Sequence, residues 1–169
     1  TGWSGDWDSA TAGDAGPVVE QVPAEHPLWV LFSSGTTGRP KGIVHGHAGV
    51  LLAHLVGTGL QLDVRPGDRV FMLTSPSWMV WNVLVSALLL GATPVLYDGG
   101  PTTPDTDRLW RIVADERVSL FVTGPGYLQL SERAGLRPGA TGDLSALRMV
   151  GSSGSPLPAG THIWFADAV

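Results

Sequence analysis

No cysteine occurs in this 169-residue chain. Disulfides, cysteine-based zinc sites and a thiol nucleophile are therefore excluded. The same absence is compatible with a reducing compartment, and a cytoplasmic location is the expectation. No basic run occurs either, and the formal net charge is −5, which argues against nucleic acid and anionic membrane surfaces as partners. Lysine is nearly missing: Lys41 stands alone against nine arginines. No apolar run is long enough to cross a bilayer. The most apolar stretch, Trp78 to Leu90, is interrupted by Asn82 and Ser86 and stopped by Gly91, short of the ~20 residues a span needs. It reads as a buried helix. No Gly-x-Ser-x-Gly elbow supports serine hydrolysis, and no charged leader precedes an apolar segment. The first residue is Thr1 rather than Met, which suggests a fragment or a processed chain. With 43% hydrophobic residues, the chain reads as one soluble globular domain or part of a larger one.

What is present centres on one loop, Ser33-Ser34-Gly35-Thr36-Thr37-Gly38-Arg39-Pro40-Lys41-Gly42. It follows the apolar run Leu28 to Phe32, which reads as a buried strand, and precedes the apolar-leaning Ile43-Val44-His45. Strand, Gly-rich loop, strand is the expected geometry. Gly35, Gly38 and Gly42 let backbone N–H groups approach a ligand closely, and successive N–H groups in such a loop form an anion cradle. Ser33, Ser34, Thr36 and Thr37 add hydroxyls, and Lys41 adds a point charge. The P-loop spacing Gly-x4-Gly-Lys-Ser/Thr is absent, because Pro40 stands where its second glycine would be and Arg39 follows Gly38. Gly-x-Gly-x-x-Gly is absent too. The competing reading is a flexible Ser- and Gly-rich surface turn.

Residues 1 to 22 read as a loop or linker arm containing Trp3 and Trp7, leaving 23 to 169 as the folded domain. A helix is expected near His47 to Leu60, weakened at its end by Gly57 and Gly59. Strands are expected over Val70 to Leu73, Thr93 to Tyr97, Val118 to Val122 and Leu147 to Val150. Helices are expected from a cap at Asp105 or Thr106 to about Glu116, over Gly126 to Ala134, and from Ala159 to Val169. Strands alternating with helices imply an α/β fold, a mainly parallel sheet with covering helices. Ligands of such sheets sit beyond the carboxyl ends of strands. Three segments each directly follow a strand: Thr74 to Trp78, Thr123 to Tyr127 and Gly151 to Pro156. His45-x-His47 offers two imidazoles with no third ligand at a recognisable spacing, so a structural role is favoured and no metal site is assigned.

The loop from Ser33 to Gly42 resembles the phosphate loop of the adenylate-forming superfamily, which includes acyl-CoA synthetases, luciferases and peptide-synthetase adenylation domains. The flanks, Val22 to Phe32 and Ile43 to His47, are similar to those of the acetoacetate–CoA ligase subfamily. The resemblance implies part of the large N-terminal domain of an acyl-CoA synthetase. It implies ATP with Mg²⁺, coenzyme A and a small carboxylic acid as partners, and a short-chain acetate or propionate ligase as the alternative. Ser33, Ser34, Gly35, Thr36, Thr37, Gly38, Lys41 and Gly42 would hold the phosphates, with Lys41 and Thr36 catalytic. Gly151, Ser152, Ser153, Gly154, Ser155 and Pro156 would meet adenine, although a turn with no ligand is the better reading of that segment taken alone. Trp78, Met79, Trp81, Thr123 and Gly124 would wall an acyl pocket. Against this, Trp78 and Trp81 also suit a core. A non-catalytic nucleotide-binding remnant is the rival from another class. The superfamily's Thr-Glu segment, ribose-binding Asp, hinge and C-terminal Lys have no counterpart after Pro156, so the catalytic set is expected to be incomplete.

Overall fold

The computed structural model describes residues 8–9, 12–13, 16–33 and 38–169. The body is a four-stranded sheet in the order β4-β3-β5-β6, where β3 is Arg69–Met72, β4 Thr93–Val95, β5 Leu120–Thr123 and β6 Met149–Ser152. All three pairings are parallel. Parallel neighbours need crossovers, and helices supply them. Met79–Ser86 (α2) links β3 to β4, and Arg108–Asp115 (α3) links β4 to β5. Pro125–Arg133 (α4) and the single turn Pro138–Thr141 (α5) link β5 to β6. Ala159–Ala168 (α6) follows β6.

Alternation along the strands produces two cores. Val70, Met72 and Leu120 face one side, where they join Val64, Leu84, Ala87 and Ala92. Phe71 and Phe121 face the other, packing with Leu109, Trp110, Val113, Tyr127 and Leu128 from α3 and α4. Phe71 and Phe121 are register partners on adjacent strands, and their rings stack at 5.3 Å. The hydroxyl of buried Tyr127 donates to the Thr106 carbonyl at 3.0 Å, and burial pushes its pKa up to about 12. Trp110 Nε1 donates to Ser131 Oγ at 3.0 Å, so the polar tips of these two aromatic side chains are satisfied.

The chain's other sheet is a separate antiparallel hairpin of Pro27–Ser33 (β1) and Lys41–Gly46 (β2). His47–His54 (α1) follows directly and passes without a break into a wider π-helical turn, Leu55–Gln61. The expected helix from His47 to Leu60 is therefore present in extent. Its second half has a different pitch, and Gly57 and Gly59 lie within that half.

Two expectations are corrected. The run Leu28 to Phe32 is a strand but not a buried one: Val30 is 47% and Phe32 73% exposed. β1 pairs only with β2, so its outward face has no layer against it. The stretch Trp78 to Leu90 is helical, with a last 3-10 turn over Ala87–Leu90 ended by Gly91 at φ 70°. It is buried on one side only, through Leu84, Ser86 and Ala87, while Leu88 and Leu89 are exposed. Strand ends also shift: β4 stops at Val95, and β6 begins at Met149 rather than Leu147. The expected cap moves to Asp107, which precedes α3 without a side-chain capping bond.

Candidate functional site

Strand direction decides where the candidate residues gather. β3, β5 and β6 are adjacent and parallel, so the segments that leave their carboxyl ends share one edge of the sheet. Backbone bonds fix those ends to one another: Leu73 N–H donates to the Val122 carbonyl at 2.8 Å, and Ser153 N–H to the Thr123 carbonyl at 3.4 Å. Thr123 and Ser152 are register partners. The three segments expected from sequence to form one site are thus brought together, with Thr123 and Gly124 between the other two.

Two depressions open at this edge. A cleft of about 270 Å³ lies where β3 and β4 end, walled by Leu73, Thr74, Pro76, Trp81, Tyr97 and Asp98. Trp81 lines it, whereas Trp78 (69% exposed) and Met79 (50% exposed) stand outside that lining. Tyr97 and Asp98 were read only as a strand end and a turn. The rule that ligands sit beyond strand ends would have found them. The Tyr97 hydroxyl lies within hydrogen-bond reach of the Gly100 and Thr103 carbonyls at 3.2 and 3.0 Å, and the Arg108 guanidinium lies 5.4 Å from its ring centre. A second depression, about 460 Å³, is lined by Ser152, Ser155 and Pro156 with Leu128, His162 and Phe165. Gly154 in this loop has φ 103° and open space around it, a backbone that glycine adopts without strain.

Thr123 carries the sharpest polar signal. The residue is 2% exposed, and its hydroxyl has no hydrogen-bond partner among the described residues. A buried hydroxyl without a partner costs about 1–3 kcal/mol, and this one stands at the carboxyl end of β5.

The phosphate-loop candidates are only partly visible. Ser34, Gly35, Thr36 and Thr37 lie outside the described residues. Ser33 and Lys41 face each other as the terminal register pair of the hairpin, and Phe32 pairs with Gly42. A side chain at Gly42 would press on Val30 Cγ1 at 3.2 Å and Phe32 Cε1 at 3.3 Å, so the small residue lets those side chains cross. Gly38 has φ 147° with nothing near its missing Cβ. Lys41 is exposed and forms no ion pair with a described residue. Its charge is therefore not neutralised within the described chain.

His47 Nδ1 lies 2.7 Å from the His26 carbonyl, and the two rings are 5.8 Å apart. Among the described residues no group of three or more His, Asp or Glu side chains could hold a metal ion, and no helix is long and apolar enough to cross a membrane.

At the opposite, amino-terminal edge, Arg148 forks onto Asp68 with both contacts at 2.7 Å and also donates to the Asp63 carbonyl at 3.0 Å. The Arg148 guanidinium holds the Asp68 carboxyl down to about pKa 2. This pair clamps the start of β3 to the start of β6 and leaves the carboxyl edge free. Sequence reading took Asp68 for a turn residue, since its partner is 80 residues away.

Comparisons with known proteins agree with this layout. The family described as AMP-binding enzyme matches residues 2–169. The acetoacetyl-coenzyme A synthetase of Rhizobium meliloti (strain 1021) is 48% identical over 144 residues, 85% of this chain and 22% of that protein. A solved acetoacetyl-CoA synthetase from Streptomyces lividans superposes with a TM-score of 0.91 at 52% identity, over 96% of this chain and 25% of that one. The anthranilate CoA ligase AuaEII, solved in complex with anthranoyl-AMP, gives a TM-score of 0.73 at 26% identity over 89% of this chain and 29% of that one. The chain thus spans about a quarter of the length of these relatives.

Proposed function

Since the chain belongs to the AMP-binding enzyme family, we propose that it forms the phosphate, adenine and part of the acyl subsite of an ATP-dependent acid–CoA ligase, with acetoacetate as the acid. The observation that carries this reading is the convergence of the ends of β3, β5 and β6 at one sheet edge around the unsatisfied Thr123 hydroxyl. The relatives at 48% and 52% identity are both acetoacetyl-CoA synthetases by name, which favours acetoacetate over acetate or propionate. They also favour a working ligase over a non-catalytic remnant.

In this reading a carboxylate oxygen attacks the α-phosphorus of ATP. The bond to the β-phosphate bridge breaks, and pyrophosphate leaves with the bridge electrons. The CoA sulfur then attacks the acyl carbon and AMP departs. Mg²⁺ arrives with the nucleotide. Lys41 and the loop hydroxyls, Thr36 among them, stabilise charge building on the leaving phosphates, as preorganised donors do. Gly151 to Pro156 receive adenine. Trp81, Thr123 and Gly124 bound the acyl side, with Trp78 and Met79 completing that wall only where a further element folds over them.

Acetoacetate-dependent exchange of pyrophosphate into ATP tests this, in a polypeptide of the relatives' length that carries this sequence. Lys41→Ala is expected to slow exchange by about 2–4 kcal/mol of barrier, the loss typical of one electrostatic donor. An unchanged rate removes Lys41 from the mechanism. The 169-residue chain alone is expected to release no AMP from ATP, acetoacetate and CoA, since it spans about a quarter of its relatives' length and the reacting atoms must be held within about 3–3.5 Å.

A further inference from the structure

The loop-bearing hairpin has little to hold it in place. Its strands pair with each other and pack on α1, while Val30, Phe32, Ile43 and Val44 remain exposed. Among the described residues, two contacts tie it to the neighbouring chain. One is at the root, where His47 N–H donates to the His26 carbonyl at 3.1 Å and Ala48 N–H to the Ala24 carbonyl at 3.0 Å. Gly46 makes that root possible, because a Cβ there would lie 3.0 Å from the Glu25 carbonyl oxygen. The other contact is part-way along the face. Trp29 of β1 meets His54, the last residue of α1, edge to face at 5.6 Å between ring centres and 86° between planes.

His54 is an unusual choice for that position. It is 8% exposed, and it lines an apolar cleft of about 260 Å³ with Leu28, Trp29, Val50, Asn82 and Leu89. Neither ring nitrogen has a hydrogen-bond partner among the described residues. From β1, α1 and α2, the elements packed around it, no Asp, Glu, Lys or Arg side chain lines the cleft. The other histidines of this region are His45 on β2 and the His26–His47 pair at the root of the hairpin, and none of them lines the cleft. An imidazolium at this place would bring a charge against an apolar wall that holds no carboxylate to pair with it. Burial accordingly holds the His54 pKa below its ordinary 6.5.

We propose that His54 is a positioning residue for the phosphate loop: its neutral ring seats Trp29, and with it the hairpin that ends in Ser33 and Lys41, and protonation releases that seat. The first half rests on geometry alone. The consequence for nucleotide rests on the function proposed above. The sign follows from linkage. The seated state disfavours the proton, so seating is complete above about pH 6.5 and weakens as pH falls below it, by up to about tenfold per unit for one proton.

The 169-residue protein itself provides the test, through amide hydrogen exchange at pH 7.5 and 5.5 expressed as protection relative to intrinsic rates. Protection at Trp29, Leu31, Ile43 and His45 is expected to fall on acidification, while Phe71 and Phe121 in the large sheet hold theirs. His54→Phe keeps an aromatic partner for Trp29 and leaves His26, His45 and His47 in place. It is expected to retain hairpin protection and abolish the pH response. His54→Ala is expected to lower hairpin protection at both pH values. A wild-type hairpin insensitive to pH, or an equal response in His54→Phe, overturns the proposal. Titration with Mg·ATP then separates the two readings, with His54→Phe as the reference for protonation of the nucleotide itself. A weaker wild-type Kd at pH 5.5 relative to His54→Phe supports the link to the loop. Hairpin protection that follows His54 without any ATP binding at pH 7.5 keeps the seat and removes the phosphate-loop assignment. Equal Kd ratios in both proteins overturn the positioning role.

Discussion

The four-stranded sheet and the hairpin are both made of apolar strands, yet they meet water very differently. Val70, Phe71, Leu120 and Phe121 are each at most 1% exposed, whereas Phe32 and Val44 are 73% and 61% exposed. Strand composition does not separate them, since Leu28-Trp29-Val30-Leu31-Phe32 is as apolar as Leu120-Phe121-Val122. Neighbours separate them. The parallel sheet is covered by α3, α4 and α6 on one face and by α2 on the other. The hairpin has α1 against it, with α2 at the edge of the same cleft, and no further layer among the described residues. Burial is thus a property of the layer a strand enters, not of the strand. Here the candidate phosphate loop stands on the part with fewer neighbours.

The largest effect that would sharpen this contrast is in the large sheet. Phe121→Ala removes a ring packed against Phe71, Trp110 and Tyr127 at 5.3, 5.4 and 6.3 Å, and is expected to cost about 3–5 kcal/mol in chemical denaturation. A loss below 1 kcal/mol would mean that the layer is loose and the comparison wrong. Asp68→Asn comes next. It leaves Arg148, whose side chain is 40% exposed, without its anion, and after solvent screening the loss is about 1–2 kcal/mol at neutral pH. Because the Asp68 carboxyl titrates lower in the folded state, its contribution is full above about pH 3.8 and gone below about 2. Wild type and variant should therefore converge in stability as pH falls through that window. Trp110→Phe keeps the ring and loses the bond to Ser131, for about 1 kcal/mol by thermal melting. The smallest effects belong to the hairpin. Phe32→Ala and Lys41→Ala are each expected within about 0.5 kcal/mol of wild type in stability. If Phe32→Ala unfolded the chain as Phe121→Ala does, the hairpin would be part of the core after all.

Much of this layout is legible in the residues. Alternating apolar runs and turn signals mark β3, β5, α3 and α4 to within a few positions, because each follows from a local period. The three glycines, four hydroxyls and sole lysine between two short strands make the loop a candidate anion site in the sequence. Long-range facts are not legible. The Arg148–Asp68 fork joins residues 80 apart, and Trp29 meets His54 only because β2 turns directly into α1. Tyr97 and Asp98 enter a cleft because β4 lies beside β3, an order that chain sequence does not state.

The sequence by itself determined the alternation of strands and helices, the parallel sheet and the residue types gathered in the candidate loop, because periodicity and residue type act over a few neighbouring positions. The tertiary structure alone decided which apolar strand is buried, which hydroxyl is left without a partner at Thr123, and which histidine bears on Trp29. Those depend on which layers meet, and distance along the chain carries no record of that.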